Sequence, residues 1–178
     1  EVTEDSVIVR FRLKGRENAY ILAWTTTPWT LPSNVALCVN AKETYVELEL
    51  HGENVILAEA LVDSVFGEHA KEGKVLRTMK GKALVGTEYE PLYRFDAIAY
   101  PREKGWYVVS DDYVTLTDGT GIVHTAPAFG EDDARIGKAY GLPFIQLVDA
   151  QGKFIPGTLW DGVPAKKADP MIMEDLKN

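Results

Sequence analysis

Strand-length apolar runs, separated by turns rich in Gly, Pro, Asn and Asp, constrain this chain more than any other feature. Val7 to Leu13 alternates, with Val7, Val9, Phe11 and Leu13 on one side and Arg10 and Arg12 on the other, the period of a half-buried strand. Ala19 to Thr25 and Val35 to Val39 are apolar runs with β-branched members. Tyr45 to Leu50 and Asn54 to Ala58 flank His51-Gly52-Glu53, which reads as a hairpin turn. Further strands are expected at 75–79, 106–110, 121–124 and 144–148, with a turn at Asp149-Ala150-Gln151-Gly152-Lys153. Helices are fewer. Ala58 to Phe66 has helical character and meets Gly67, a left-handed cap. Glu131 to Tyr140 carries three acidic residues in its first turn and ends at Gly141-Leu142-Pro143. Lys167 to Lys177 is expected as a last helix, with Asp169 as N-cap and Pro170 in the first turn. This pattern predicts a β-rich α+β fold, a β-barrel core with a few peripheral helices.

At 178 residues the chain has the size of one ordinary domain. Neither an internal repeat nor a second-domain boundary is legible, so residues 1–178 are read as a single domain. The first residue is not Met and Ser6 to Lys14 already reads as a strand, so a piece of a longer protein is expected. Apolar residues make up 46% and charged residues 26%, which is globular composition. No apolar run approaches a membrane span, and the acidic N-terminus lacks the pattern of a signal peptide. The lone Cys38 sits in an apolar run and reads as a buried small hydrophobe, in keeping with a reducing cytoplasm. Three histidines without a Cys/His cluster give no metal-site spacing. A net charge of −8 weighs against a module that grips a long stretch of nucleic acid, since phosphate contacts need clustered Lys and Arg. It does not weigh against an enzyme acting on a nucleic-acid terminus.

Two runs carry chemistry. Trp24-Thr25-Thr26-Thr27-Pro28-Trp29-Thr30-Leu31-Pro32-Ser33-Asn34 gathers four threonine hydroxyls, two indoles and a carboxamide, a neutral hydrogen-bonding surface suited to a small polar ligand or a held water. Threonine is also simply a good strand former. Gly119-Thr120-Gly121-Ile122-Val123-His124-Thr125-Ala126-Pro127-Ala128-Phe129-Gly130-Glu131-Asp132-Asp133 supplies a histidine and a carboxylate. His124 can act as a base or as a steric wall, or sit as a satisfied half-buried ring. Asp132 and Asp133 can serve the helix N-terminus, or one of them can face a ligand while its neighbour is solvated, since adjacent helical residues lie about 100° apart.

Together, the two runs resemble the editing domain of the isoleucyl-tRNA synthetase family, the connective polypeptide inserted in the class I catalytic domain. The resemblance covers essentially the whole chain. Valyl and leucyl relatives typically read Thr-Thr-Arg-Pro-Glu/Asp-Thr at the first motif; Thr27 and Trp29 stand here at the Arg and acidic positions and select the isoleucyl branch. The resemblance implies hydrolysis of valine wrongly esterified to isoleucine tRNA, with valyl-adenylate as a further substrate. It assigns Asp133 to the substrate's α-ammonium, and Trp24, Thr25, Thr26, Thr27 and His124 to the side chain and scissile ester. Thr30 and Asn34 complete the set. Thr26, His124 and Asp133 are the expected catalytic residues, with Thr26 and Asp133 fixing the water and the substrate.

No metal and no organic cofactor is implied in this domain. The expected partners are the 3′ end of the mischarged tRNA and the rest of the parent synthetase, in the cytoplasm, the domain itself being monomeric. His-x-Gly-His and Lys-Met-Ser-Lys-Ser are both missing, so ATP binding and ligation would belong to the parent. The rival readings are valyl-type editing of threonine on valine tRNA and a non-catalytic module that docks the tRNA end.

Overall fold

The computed structural model describes residues 7–177; Ser6 and the acidic N-terminal residues of the sequence reading lie outside that range. The chain forms two compact units. The first comprises residues up to Thr25, Ala36–Glu90 and Trp106–Thr125; the second comprises Thr26–Val35, Pro91–Gly105 and Ala126 onward.

The first unit is a mixed sheet of eight strands: β1 (Val7–Arg12), β2 (Ala19–Thr25), β3 (Ala36–Val39), β4 (Thr44–Leu50), β5 (Glu53–Ala58), β6 (Lys74–Lys80), β7 (Tyr107–Ser110) and β8 (Val123–Thr125). The order is β6-β4-β5-β2-β8-β3-β7, with β1 paired to β2. A ring closes within it. Beyond β7 the irregular stretch 86–90 takes over: the N–H groups of Gly86 and Tyr89 donate to the carbonyls of Val108 and Trp106 at 2.8 and 3.1 Å. The same stretch then returns to β1, through Lys14 N–H to Glu88 O at 3.0 Å and Glu90 N–H to Arg12 O at 2.9 Å. The circuit β1-β2-β8-β3-β7-(86–90)-β1 is thus hydrogen-bonded all round, while β6 stays at the end of the branch β6-β4-β5.

The alternation of β1 sets its two faces. Val9, Phe11 and Leu13 are buried, while Ile8, Arg10 and Arg12 face solvent. Phe11 lies opposite Ile21 in the antiparallel register and meets the Tyr89 ring edge-on at 5.3 Å. Strands β2 and β5 are apolar almost throughout because both of their faces are covered. On the second face Tyr20, Leu22, Val46, Leu48, Val55 and Leu57 form a cluster capped by Val62, Val65 and Phe66 of α1 (Val62–Phe66).

The second unit holds the 3-10 turn Pro28–Ser33, α2 (Glu131–Tyr140) and α3 (Ala165–Leu176). The mixed β-rich fold with few helices is as the sequence predicts, and several elements differ. Residues 58–66 are not one helix: β5 runs to Ala58, a 3-10 turn covers Glu59–Leu61, and α1 is a single short turn of helix. Gly67 does adopt positive φ (+56°), but at ψ −131° it leaves the left-handed helical region. Residues 144–148 form no strand; Val148 makes one isolated bridge to Phe154, around a turn in which Asp149 Oδ1 accepts from the N–H groups of Gln151 and Lys153. Ile145, Leu147 and Val148 are buried while Phe144 is exposed, and the stretch is tied to 154–155 by the Val148 bridge and Ile155 N–H to Leu147 O at 2.9 Å rather than by a strand ladder. The last helix starts at Ala165 with Pro164 as its cap, so Asp169 lies inside it and Pro170 in its second turn. The Asp169 carboxylate instead accepts from the Trp29 N–H at 2.8 Å, capping an orphan donor of the Pro28–Ser33 turn.

A charged group is buried in β4. Glu47 is 2% exposed and receives Arg16 at 2.6 Å and Arg77 at 2.8 Å on its two oxygens. Desolvation pushes its pKa up, but the two guanidinium groups outweigh this and hold it below the usual carboxylate value. Its contribution to stability is therefore present above the unfolded pKa and lost as pH falls through the folded one. Glu47→Ala is expected to lower unfolding free energy by about 1–3 kcal/mol at neutral pH, the arginines being partly solvated. Urea denaturation should show this difference at pH 7 and its disappearance in acid.

Candidate functional site

In the first unit the two sequence motifs run side by side. The short β8 pairs in parallel with the end of β2, Trp24 opposite Val123, and antiparallel with β3, where Leu37 and Ala36 face His124 and Thr125. One residue beyond the Trp24–Val123 bridge come Thr25 on one strand and His124 on the other. The turn before β8 is pinned from several sides. Thr120, fully buried, donates its hydroxyl to Leu22 O at 2.7 Å, and its carbonyl accepts from Ala58 N–H at 2.8 Å. Tyr45 donates to Gly121 O at 2.7 Å, and Trp24 N–H to Ile122 O at 3.2 Å. Gly119 has φ +66°, and a Cβ there would fall 2.2 Å from the Trp24 ring. The indole therefore seats directly on the glycine backbone.

Burial gives these residues their chemistry. His124 is 5% exposed, and desolvation pushes its pKa down to about 3, so the ring is neutral at physiological pH. A neutral, enclosed imidazole is a weak base and a good wall. Among the described residues, Trp24 Nε1 and the hydroxyl of the fully buried Thr125 have no hydrogen-bond partner. Native interiors rarely leave such groups unpaired, which marks them as candidates for a ligand or water contact. Sequence reading quoted Thr125 only as part of its motif; an unpaired hydroxyl becomes visible only when its surroundings are known.

The second unit continues both motifs. Thr26 is exposed. Thr27 caps the Pro28–Ser33 turn: its carbonyl accepts the N–H of Thr30 at 3.0 Å and the Thr30 hydroxyl at 2.8 Å, and the two hydroxyls lie 3.2 Å apart. Two prolines hold this turn, and Asn34, 3% exposed, ends it with its N–H on Leu31 O. Trp29 packs edge-on against Phe129 with ring centroids 4.9 Å apart, so the tails of the two motifs meet here as well.

Among the three acidic residues of the first turn of α2, Asp133 is the one turned inward. Glu131 and Asp132 are exposed, and Asp132 pairs with Arg135 at 3.1 Å. Asp133 Oδ2 accepts from the Ala126 N–H at 2.9 Å, and Gly130 leaves room for it: a Cβ there would lie 3.1 Å from the carboxyl carbon. Burial raises the Asp133 pKa, only partly offset by the Ala126 bond, and neighbouring Asp132 adds to the rise. Such a carboxylate gains from a cation brought to it. The structure thus groups Trp24, Thr25 and His124 in the first unit. In the second it groups Thr27 with Thr30 and anchors Asp133 on Ala126. A cleft of about 320 Å³ in the first unit, lined in part by Arg16, Ile56 and Arg77, includes none of these residues.

The mixed, β-rich fold is that of synthetase editing domains. The cytosolic leucyl-tRNA synthetase editing domain of P. falciparum superposes with a TM-score of 0.67 over 89% of this chain and 76% of its own, at 11% identity. In sequence the chain is 57% identical to an isoleucine–tRNA ligase of Clostridium novyi and 44% identical to that of Pyrococcus horikoshii, over 99% and 98% of its length. No family model matches. The chain belongs to the isoleucine–tRNA ligase family as an editing-domain segment, and it spans 17% of the length of these two relatives.

Gly119→Ala is expected to shift the Trp24 indole N–H resonance and cost about 2–4 kcal/mol, combining positive-φ strain with overpacking. Heteronuclear NMR and chemical denaturation would check both. Asp133→Asn is expected to raise the melting temperature at neutral pH. A carboxyl with a raised folded pKa stabilises the fold only in acid, and that support is lost as pH rises through the folded value. A melting series from acid to neutral pH should show the gain growing as pH rises.

Proposed function

We propose that this chain hydrolyses valine wrongly esterified to the 3′ end of isoleucine tRNA, as the proofreading part of a cytoplasmic synthetase, acting as a monomeric domain to which the parent presents the tRNA. The observation that carries this reading is Asp133, the one inward-turned carboxylate of the two motifs, of raised pKa, where the fully buried polar residues are all neutral. A substrate α-ammonium is the complement of such a group. Membership in the isoleucine–tRNA ligase family supplies the aminoacyl ester as its context.

In this reading Asp133 holds the ammonium and Thr26, with an exposed hydroxyl, fixes the attacking water. His124 and Trp24 form the wall that refuses the larger isoleucine side chain; one methylene is too small a difference for attraction alone to discriminate strongly, so size exclusion does the sorting. The low pKa of His124 favours this wall role over that of a base. Thr25, Thr27, Thr30 and Asn34 shape the surroundings, and Thr125 joins them as a hydroxyl still open to a contact. An aminoacyl ester is already activated, so positioning a water is the main demand on the protein, with no covalent intermediate and no cofactor. The vicinal hydroxyl of the terminal ribose can assist. Valyl-adenylate offers the same ammonium and is a second substrate.

Incubation with isoleucine tRNA charged with valine or with isoleucine, and with valine tRNA charged with threonine, tests the reading. Preferential loss of the valine ester is expected, reduced about 10- to 100-fold by Asp133→Ala, the value of a charge-assisted contact. Equal loss of all three esters, or full activity in the variant, would overturn the reading. Should the chain leave every ester intact, the same substitution in the full-length synthetase decides between a hydrolase that needs its parent and a docking module.

A further inference from the structure

Two of the three histidines in the chain lie far from these motifs in the sheet, and the fold brings them to one carboxylate. His51 occupies the β4–β5 turn at φ +52°, followed by Gly52 at φ +84°, a two-residue turn of the type usually filled by Asn-Gly. His69 and Glu72 belong to the 3-10 turn Gly67–Glu72. In that geometry residues three apart eclipse one another. The Glu72 carboxylate divides its oxygens between the two rings: Oε2 is 2.5 Å from His69 Nδ1 and Oε1 is 3.5 Å from His51 Nε2. The two imidazoles stand edge-to-face, centroids 6.1 Å apart. The backbone holds the two turns together, since β6, which follows the 3-10 turn, pairs with the end of β4 with Lys74 opposite Glu49.

We propose that His51, His69 and Glu72 form a binding site for a divalent transition-metal ion, with Zn²⁺ as the representative ligand. One ligand atom from each residue lies within 4.8 Å of the other two. Donors around tetrahedral zinc sit about 2.0–2.1 Å from the metal and so about 3.4 Å apart. Closing that gap requires only rotation of side chains that are 51–71% exposed. Two imidazoles and one carboxylate suit zinc, nickel or copper and disfavour magnesium or calcium, which take all-oxygen sets. The ion replaces the protons now shared between the carboxylate and the rings, and water fills its remaining positions.

The consequence is mechanical. The ion ties the β4–β5 turn to the helical turn that leads into β6. Within the first unit it is remote from the editing motifs: Ala19, at the start of β2, pairs with Asn54 beside this turn, whereas Trp24 lies five residues further on, about 17 Å along the strand. The proposal is therefore independent of the hydrolase reading.

Calorimetric titration of tag-free protein with Zn²⁺ tests it, alongside His51→Ala, His69→Ala and Glu72→Gln. One ion per chain is expected, with affinity at least about tenfold weaker in each variant, since even outer-sphere partners matter at that level. Zinc should raise the melting temperature of the parent protein but not of the variants, and should shift the His51 and His69 imidazole nitrogens in ¹⁵N NMR. Equal affinity in all four proteins, zinc-induced shifts confined to other residues, or no saturable binding would overturn it. The last result would leave the cluster as a hydrogen-bonded link between two turns.

Discussion

The parallel contact between Trp24 and Val123 is the constraint on which the rest of the candidate site hangs. It is only a bridge, because β8 is three residues long, and strands that short do not hold a register by ladder hydrogen bonds alone. The register is kept by the turn that precedes it. Thr120 spends its hydroxyl and its carbonyl on β2 and on the end of β5, Tyr45 reaches Gly121 from β4, and Gly119 lies flat under the Trp24 ring. The glycines are needed at these places because φ is positive and the space is already occupied. A side chain at either position would lift the turn and with it the placement of Thr25 and His124.

In each unit the protein keeps polar groups in conditions that ordinary folding disfavours. A histidine is buried neutral, an indole N–H and a threonine hydroxyl have no described partner, and in the second unit a carboxylate is drawn inward at the cost of a raised pKa. The contrast with Glu47 is instructive. That carboxylate is more enclosed than Asp133, yet two guanidinium groups stabilise its charge and lower its pKa. Asp133 has one backbone N–H and an acidic neighbour. One group is satisfied by its own chain; the other is left able to gain from a cation that arrives from outside. Local instability of this kind is characteristic of sites that act on ligands.

Part of this was legible from residue order. The alternation in β1, the hairpin at His51-Gly52 and the extent of α2 follow from periods and turn chemistry that operate over a few residues. Helical geometry separates the adjacent Asp132 and Asp133, and in the structure it is Asp133 that turns inward onto the Ala126 N–H. Predictions that needed a partner did worse. Residues 144–148 are as apolar as a strand but meet 154–155 through a single bridge and form no ladder. Asp169 looked like a helix cap in sequence because a following Pro170 fits that role; in the fold its carboxylate serves the Trp29 N–H, 140 residues away. No boundary between the two units is readable, because the chain passes between them at Thr25–Thr26, Val35–Ala36, Glu90–Pro91, Gly105–Trp106 and Thr125–Ala126, and two of these crossings fall inside the motifs themselves.

The sequence by itself determined the strand-rich fold class, the residue types of both motifs and, through Thr27 and Trp29, the branch of the synthetase family. The fold class rests on local periodicity and the motif chemistry on residue types, both carried directly by the order of residues, while the branch rests on the resemblance of the first motif to the isoleucyl family. Only the tertiary structure decided which strands neighbour β2, that the stretch 86–90 closes the ring and that His124 is neutral. It alone left Thr125 unpaired and gathered His51, His69 and Glu72. Each of these depends on burial or on contact between residues far apart in the chain, and desolvation and long-range pairing have no signature in the order of residues alone.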